Sequence, residues 1–247
     1  MSSVGYHDLH LHIVPGIDDG ARDLKASLEI LRGLHGEGYT HFVATPHADD
    51  HRFTYGRDRI AQGFAELREA VARAGLAVQL QCGAEYTYGQ RFHADVSARR
   101  ALTLGDSRYV LLELPEAFIP ATMPDNLFAV GAAGYYPVLA HPERCAPFQE
   151  DPARLARLAA GRALVQVSFR SLAGTFGRTI KRTAWNLVTE GIADLVATDC
   201  HSPREIKKVV RPVMKALRKK LNTSEFDQLM RVYPERMMGG QRKASKA

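Results

Sequence analysis

Seven short apolar runs alternate along this chain with segments in which apolar residues recur every three or four positions. This alternation is typical of α/β folds that are built on parallel strands. The predicted strands cover residues 5–14, 41–45, 77–84, 109–114, 136–140, 164–168 and 195–198. A chain of 247 residues, 45% of them hydrophobic, can bury a substantial core. We therefore expect one α/β domain over residues 1–238.

The segments between the strands have helical patterns with recognisable ends. Four leucines between residues 24 and 34 recur at helical spacing, and Gly36 and Gly38 follow before the next strand. A second segment repeats this pattern from Ile60 to Val71 and ends at Gly75. Further helices are predicted at residues 124–132, 152–160, 179–190 and 203–221.

Positive charge is concentrated at the C-terminal end. Residues 204–247 contain thirteen Lys or Arg and four Asp or Glu, so the rest of the chain contributes −3 to the formal net charge of +6. A solvated helix face followed by a frayed end explains this pattern, although contact with nucleic acid, anionic lipid or an acidic partner also fits it. We expect residues 239–247 to form a disordered basic tail.

Membrane insertion and secretion are not expected from the sequence. The longest uncharged run, residues 126–142, contains two glycines, two prolines and a histidine, so no transmembrane helix is predicted. The first residues lack the basic and apolar regions of a signal peptide, and we expect a cytoplasmic protein. Three cysteines without C-x-x-C spacing form neither a disulfide framework nor a thiolate zinc cluster.

His, Asp and Glu residues recur where the predicted strands end. They are His10, His12, Asp19, His47, Glu85, Glu113, His141, Asp199 and His201. Parallel α/β folds place their sites at these strand ends, and side chains two residues apart on a strand share one face. Any one of these residues could be a solvated pair or a helix cap. Nine together predict a site for several divalent cations, because burying so many titratable groups without cations is costly.

The ordered motifs resemble those of the polymerase and histidinol phosphatase (PHP) superfamily. They are His10-Leu11-His12, Asp18-Asp19-Gly20, Thr45-Pro46-His47, Gly83-Ala84-Glu85, His141-Pro142-Glu143-Arg144 and Asp199-Cys200-His201. From about His7 to Leu221 the chain is similar to the CpsB/CapC group, the bacterial PHP-type protein-tyrosine phosphatases of capsule and exopolysaccharide operons. The segment 104–109 that leads to Glu113 also resembles that group.

This resemblance implies a distorted (β/α)7 barrel of the PHP fold with three divalent metal ions. The resemblance implies that His10, His12, Glu85 and Asp199 bind the first ion. It also implies that Glu85, Glu113 and His141 bind the second, with Glu85 shared, and that Asp19, His47 and His201 bind the third. Nitrogen and oxygen donors without thiolate suit manganese, which we expect, with iron or zinc as alternatives.

The resemblance also implies an activity, the hydrolysis of phosphotyrosine by metal-activated water without a phospho-enzyme. The implied partner is a phosphotyrosine protein, in particular a bacterial tyrosine autokinase of polysaccharide export. Arg144 and Arg204, three residues beyond His141 and His201, are candidates for gripping the phosphoryl oxygens, with surface ion pairs as the alternative. Either His201 or a water molecule would protonate the leaving oxygen.

Two other functions stay open. One is a small-molecule phosphomonoesterase, such as a histidinol-phosphate phosphatase, that uses the same site. The other is a nucleic-acid-binding protein or exonuclease, suggested only by the basic C-terminus, and we expect no stable complex with nucleic acid. Cysteine-dependent phosphatase chemistry is excluded, because Tyr88, Asp151 and Ile206 occupy the three positions where such an enzyme needs arginine. The sequence also lacks a nucleotide-binding P-loop.

Overall fold

The computed structural model describes residues 5–48 and 56–239. In this part of the chain, nine short strands pair in parallel as two sheets with the orders β1-β2-β4 and β3-β5-β6-β7-β8-β9. The strands are β1 (Tyr6–Leu11), β2 (Tyr39–Ala44), β3 (His47–Ala48), β4 (Gln79–Cys82), β5 (Glu85–Thr87), β6 (Tyr109–Glu113), β7 (Tyr136–Ala140), β8 (Leu164–Ser168) and β9 (Leu195–Ala197).

The two sheets together form one distorted barrel. β3 continues the direction of β2 after a two-residue interruption, and β5 continues β4 in the same way, so the nine strands occupy seven positions. A bridge between Leu11 and Cys200 joins β1 to the residues after β9, and the His12 N–H donates to the Cys200 carbonyl at 3.0 Å. The predicted α/β class and (β/α)7 barrel are confirmed.

The interruption at residues 83–84 falls within the predicted strand 77–84, and the one at residues 45–46 begins at the last residue of the predicted strand 41–45. Both have local causes. Pro46 has no N–H to donate to a ladder. At Gly83 a Cβ atom would lie 2.6 Å from the Thr103 carbonyl oxygen, so the chain must bend there without a side chain. His47 and Glu85 therefore begin the short strands β3 and β5, whereas the sequence predicted that they end the preceding strands.

Helices follow most of the strands. In the described residues they are α1 (Leu24–Gly36), α2 (Arg57–Arg73), α3 (Gln90–Ser97), α4 (Met123–Ala132), α5 (Ala146–Glu150), α6 (Pro152–Ala159), α7 (Phe169–Ala173), α8 (Arg178–Thr189), α9 (Pro203–Glu205), α10 (Arg211–Lys220), α11 (Thr223–Asp227) and α12 (Tyr233–Met238). Two π-helical segments, Ile206–Val210 and Gln228–Val232, link α9 to α10 and α11 to α12. A 3-10 turn, Pro142–Arg144, precedes α5. The helices α3, α5, α7, α11 and α12 were not predicted from the sequence.

The C-terminal helices cover the amino end of the barrel. Tyr6, the first residue of β1, packs edge-on against Phe226 of α11 with ring centroids 5.6 Å apart. Met237 of α12 joins a small buried cluster to which Leu9, Leu111 and Leu195 each contribute from a different strand. This cluster fills the barrel interior, so the polar residues at the carboxyl ends lie above an apolar base.

The predicted helix at residues 203–221 is present and extends to Lys220. Its apolar side, which includes Val210, Val213 and Leu217, is buried, while most of its basic residues are exposed. Among the described helices, none is both long and apolar enough to cross a membrane. Residues 240–247, most of the predicted disordered tail, lie outside the described residues.

Candidate metal centre

His10 and His12 form the base of the site at the end of β1, where both are fully buried. The Nδ1 atom of His10 donates to Gln166 Oε1 at 2.7 Å, and that of His12 donates to Asp18 Oδ2 at 2.8 Å, since those oxygens can only accept. The two Nε2 atoms lie 3.2 Å apart. With both rings neutral, two lone pairs face each other, an arrangement that a shared cation stabilises.

The loop after β1 is fixed by Asp18. Its Oδ2 atom also accepts from the backbone N–H of His47 at 3.1 Å, and its Oδ1 accepts from Gly20 at 3.0 Å. A Cβ atom on Gly20 would lie 2.2 Å from the His12 carbonyl oxygen, so glycine is required for this close approach. The tight loop brings Asp19 to the mouth of the barrel, where its side chain is 45% exposed.

Glu85 lies at the centre of the cluster and is almost fully buried. Its Oε2 atom is 3.3 Å from His10 Nε2, 3.4 Å from His12 Nε2 and 3.2 Å from His47 Nδ1, while Oε1 is 2.8 Å from His141 Nε2. Burial alone would raise the pKa of Glu85, but the surrounding imidazoles, His10 foremost, hold it well below its usual range. Glu85 therefore stays ionised and can bridge two cations.

Three groups of nitrogen and oxygen atoms lie close enough together to hold metal ions, each group spanning no more than 4.8 Å. The groups are His12 with Asp19, His47 and His201; His10 with His12 and Glu85; and Glu85 with Glu113 and His141. Asp199 Oδ1 lies 3.7 Å from Nε2 of both His10 and His12. All nine sequence-predicted ligand residues thus lie in one cluster, and His12 borders two of the groups.

The electrostatics of the cluster fit divalent cations. Burial disfavours protonation of His10 and His12, yet nearby carboxylates raise the pKa of both rings, Glu85 foremost for His10 and Asp18 foremost for His12. Burial, followed by the charge of Glu85, raises the pKa of Glu113 to about 7. A site that draws protons onto these two imidazoles and discourages a second carboxylate charge lacks positive charge there, which bound cations would supply.

Two of the cluster residues have unusual backbone conformations. His141, after β7, has φ 32°, and Asp199, after β9, has φ 52°. Residues other than glycine rarely adopt positive φ, and such strain is concentrated at functional sites. Among the described residues, Arg99 is the one other non-glycine residue with positive φ. The strain at His141 and Asp199 is consistent with a functional site at these positions.

Two arginines lie beside the cluster. Arg144, on the 3-10 turn after His141, pairs with Asp199 Oδ2 and is 12% exposed. Arg170, in α7, has Nη1 3.2 Å from His201 Nδ1 and 4.0 Å from Asp199 Oδ1. Arg204 is exposed and makes no ion pair or hydrogen bond with any described residue. Arg170, rather than Arg204, therefore approaches the cluster from the side of His201.

Three supporting residues of the site were not predicted from the sequence. Gln166, which orients His10, is the single polar side chain between the apolar residues of β8, and that isolation was a usable signal. Asp18 was overlooked beside Asp19. Arg170 follows β8 by two residues, but the strand-end pattern that predicted the site consists of His, Asp and Glu alone.

The buried cysteine thiols stay protonated, whereas Glu85 at the centre of the cluster stays ionised. Burial raises the pKa of Cys145 to about 12 and that of Cys200 well above its usual value. Neither thiol is prepared to act as a nucleophile, because the thiolate is the reactive form. This agrees with the exclusion of cysteine chemistry from the sequence.

Comparison with known proteins gives the family. The family model described as "Capsular polysaccharide synthesis, CpsB/CapC" matches residues 6–239. The chain belongs to the CpsB/CapC family. Its relatives in this family include the tyrosine-protein phosphatase YwqE of Bacillus subtilis, 30% identical over 195 residues that cover 79% of this chain and 77% of YwqE. The tyrosine-protein phosphatase CpsB of Streptococcus pneumoniae is 25% identical over 200 residues, 79% of this chain and 82% of CpsB.

Solved structures show the same fold, and one of them agrees with the CpsB/CapC assignment. A structure from work on YwqE and CpsB, described as unique metal-dependent tyrosine phosphatases, matches with a TM-score of 0.87 and 27% identity and covers 97% of both chains. A histidinol phosphate phosphatase from Lactococcus lactis shares the fold with a TM-score of 0.55 at 16% identity, over 87% of this chain and 94% of the other.

Proposed function

We propose that this CpsB/CapC protein is a metal-dependent phosphatase that hydrolyses phosphotyrosine in proteins. The observation that carries the proposal is the position of two arginines, Arg144 and Arg170, directly beside a cluster of imidazoles and carboxylates. When bound there, divalent ions supply an activated water and stabilise the charge that develops on a phosphoryl group. The printed names of YwqE and CpsB support the same chemistry.

Three ions are proposed, with manganese as the expected metal and iron or zinc as alternatives. The ligand sets are those implied by the family resemblance: His10, His12, Glu85 and Asp199; Glu85, Glu113 and His141; and Asp19, His47 and His201. The short distances from Glu85 to four imidazoles support its role as the shared ligand. Gln166 and Asp18 accept hydrogen bonds from the Nδ1 atoms of His10 and His12. The Nε2 atoms of both rings are therefore free to bind a metal ion at the centre of the cluster.

The arginines are assigned to the phosphoryl group. A guanidinium can donate two parallel hydrogen bonds to phosphoryl oxygens and keeps its charge at any relevant pH. Arg144 is held by Asp199, and Ser168 Oγ donates to the same Asp199 oxygen at 3.0 Å. Arg204 is exposed and lies three residues after His201. We propose that it contacts a part of the substrate that lies away from the reacting phosphoryl group. His201 is the candidate for protonating the leaving oxygen, with a water molecule as the alternative.

The proposed substrate is a tyrosine-phosphorylated protein, in particular a bacterial tyrosine autokinase of polysaccharide export. The family description, which refers to capsular polysaccharide synthesis, supports this assignment. A folded protein substrate requires a site that opens to the surface, and the half-exposed Asp19 at the barrel mouth agrees with that requirement.

Phosphate release from two substrates tests the proposal. Chelated protein is resupplied with manganese and assayed on a phosphotyrosine peptide and on histidinol phosphate, with Glu85→Gln as the control for contaminating phosphatases. We expect a strong preference for the peptide in the wild-type protein and no activity in the variant. A preference for histidinol phosphate would instead indicate a small-molecule phosphatase, and metal-independent release would reject the metal mechanism.

A further inference from the structure

Phe176 lies between the two arginines of the site. Its ring centroid is 4.2 Å from the guanidinium carbon of Arg144 and 5.1 Å from that of Arg170. Both distances are within the range in which a cation is attracted to an aromatic face. The ring is only half-buried, so it reaches the surface near the mouth of the site. Neither the sequence motifs nor the proposed ligand sets include this residue.

The loop that carries Phe176 folds back toward Arg170, and a backbone hydrogen bond and two glycines fix its shape. Gly174, which caps α7, has φ 92°, and the Thr175 N–H donates to the carbonyl of Arg170 itself at 3.0 Å. Gly177 has φ 99°, and its N–H donates to the Gly174 carbonyl at 3.2 Å. Side-chain-bearing residues rarely adopt such φ values, so the two glycines fix a tight turn with Phe176 between them.

The stacking leaves hydrogen-bond donors of both guanidinium groups unused. The Nε atoms of Arg144 and Arg170 are buried and have no hydrogen-bond acceptor among the described residues. An aromatic face attracts a guanidinium without consuming its N–H groups, whereas a carboxylate would occupy them. Asp199 and Glu205 are the carboxylates within reach, the latter 3.6 Å from Arg170 Nε.

We propose that Phe176 is a positioning residue that holds Arg144 and Arg170 with free donor edges for the phosphoryl group. The inference rests on the proposed phosphatase function and deepens it. Without the ring, both guanidinium groups would turn further toward Asp199 and Glu205. Their donors would then be paired within the protein, and Asp199, a candidate ligand, would be drawn away from the metal centre.

A series of substitutions at Phe176 tests this role. Phe176→Leu keeps an apolar side chain of similar reach but removes the aromatic face, and Phe176→Trp restores such a face. We expect Phe176→Leu to lower kcat/KM for a phosphotyrosine peptide about 5- to 20-fold and to weaken binding of inorganic phosphate by a similar factor. Phe176→Trp should recover most of both. Metal content and Tm are measured on every variant.

The matched control is Phe128→Leu, the same substitution at a ring that is 71% exposed on α4. We expect it to leave kinetics and phosphate affinity unchanged. Wild-type behaviour in Phe176→Leu would overturn the proposal, and so would equal loss in the Leu and Trp variants, since that pattern reflects packing alone. If the wild-type protein does not hydrolyse the peptide, the phosphatase function fails, but the phosphate-affinity series still tests Phe176.

Discussion

Histidines at the two ends of β1 have opposite surroundings. At the carboxyl end, His10 and His12 face Glu85, and carboxylates raise the pKa of both rings despite complete burial. At the amino end, His7 stacks on His41 with ring centroids 4.2 Å apart. There burial, followed by the neighbouring charges of His41 and Arg231, lowers the pKa of His7 to about 4.

The role of a histidine in this barrel depends on the side chains that face it and not on its place in a motif. His7 and His10 are three residues apart on one strand, and both are buried. One ring lies among carboxylates and is suited to share a cation, while the other packs neutral beneath the C-terminal helices. The barrel thus separates a charged end from an apolar end.

Exchanging one residue at each end is the strongest test of this separation. Glu85→Gln removes the carboxylate nearest to four imidazoles, so we expect metal content to fall and turnover to drop about 10³-fold or more. The control, His7→Gln, changes the amino end and should retain both. Elemental analysis and steady-state kinetics measure the two effects. Full metal content and activity in Glu85→Gln would contradict the assignment of Glu85 as the shared ligand.

A second test separates the arginines from the metals at the charged end. Arg144→Ala should keep its metal but lose about 2 to 4 kcal/mol of transition-state stabilisation, because a positioned charge beside the phosphoryl group is gone. Arg204→Ala should change kcat/KM severalfold at most, since that side chain is exposed. Lys208→Ala, on the exposed basic face of the same segment, is the unchanged control. Unaltered kinetics in Arg144→Ala would end its proposed role.

A third test concerns the side chains that orient the imidazoles. Asp18→Asn removes the negative charge behind His12 Nδ1, and we expect metal affinity to weaken about 10- to 100-fold. Activity should return when more manganese is added, because the ligands themselves remain. Metal titration followed by phosphate release measures this. Activity that stays lost at saturating manganese would point to a damaged fold, which a Tm measurement would detect.

The smallest expected effect is at the amino end and depends on pH. The pKa of His7 is about 4 in the folded protein and near 6.5 when unfolded, so the unfolded state binds more protons between these values. Stability is therefore lost as pH falls from about 6.5 toward 4. His7→Phe should reduce this loss by about 1 kcal/mol. Urea unfolding of chelated protein at pH 7.5 and pH 5 measures it, and parallel losses in both proteins would contradict the prediction.

The fold was predictable wherever local pattern and long-range packing agree. β7 and β8 have the bounds that their apolar runs predict, because both strands are buried. The predicted strand at residues 77–84 was wrong as one element, since the break at Gly83 depends on contact with Thr103 from another part of the chain. The C-terminal helices were not predicted because the sequence there has no clear helical spacing of apolar residues. These helices are stabilised by packing against the barrel, where Met230 and Met237 are buried.

The site was predictable to the extent that residue chemistry is distinctive. Nine His, Asp and Glu residues at strand ends pointed to one cluster, and the structure brings them together; their ligand roles stay predictions. Arg170 and Phe176 could not be found in this way. Arginine and phenylalanine have many uses, and the contact between these two depends on a turn whose shape Gly174 and Gly177 determine.

The joint between β1 and β9 also sets when the site can form during synthesis. Asp8 and Thr198, which hydrogen-bond across this joint, are 190 residues apart in the chain. β1 can pair with β2 early, but its contact with the end of β9 requires the synthesis of about 190 further residues. Before β1 and the end of β9 pair, Asp199 cannot lie beside His10 as it does in the folded protein. Completion of the full cluster is consequently a late step in folding, because Asp199 and His201 join it only after β1 has met the end of β9.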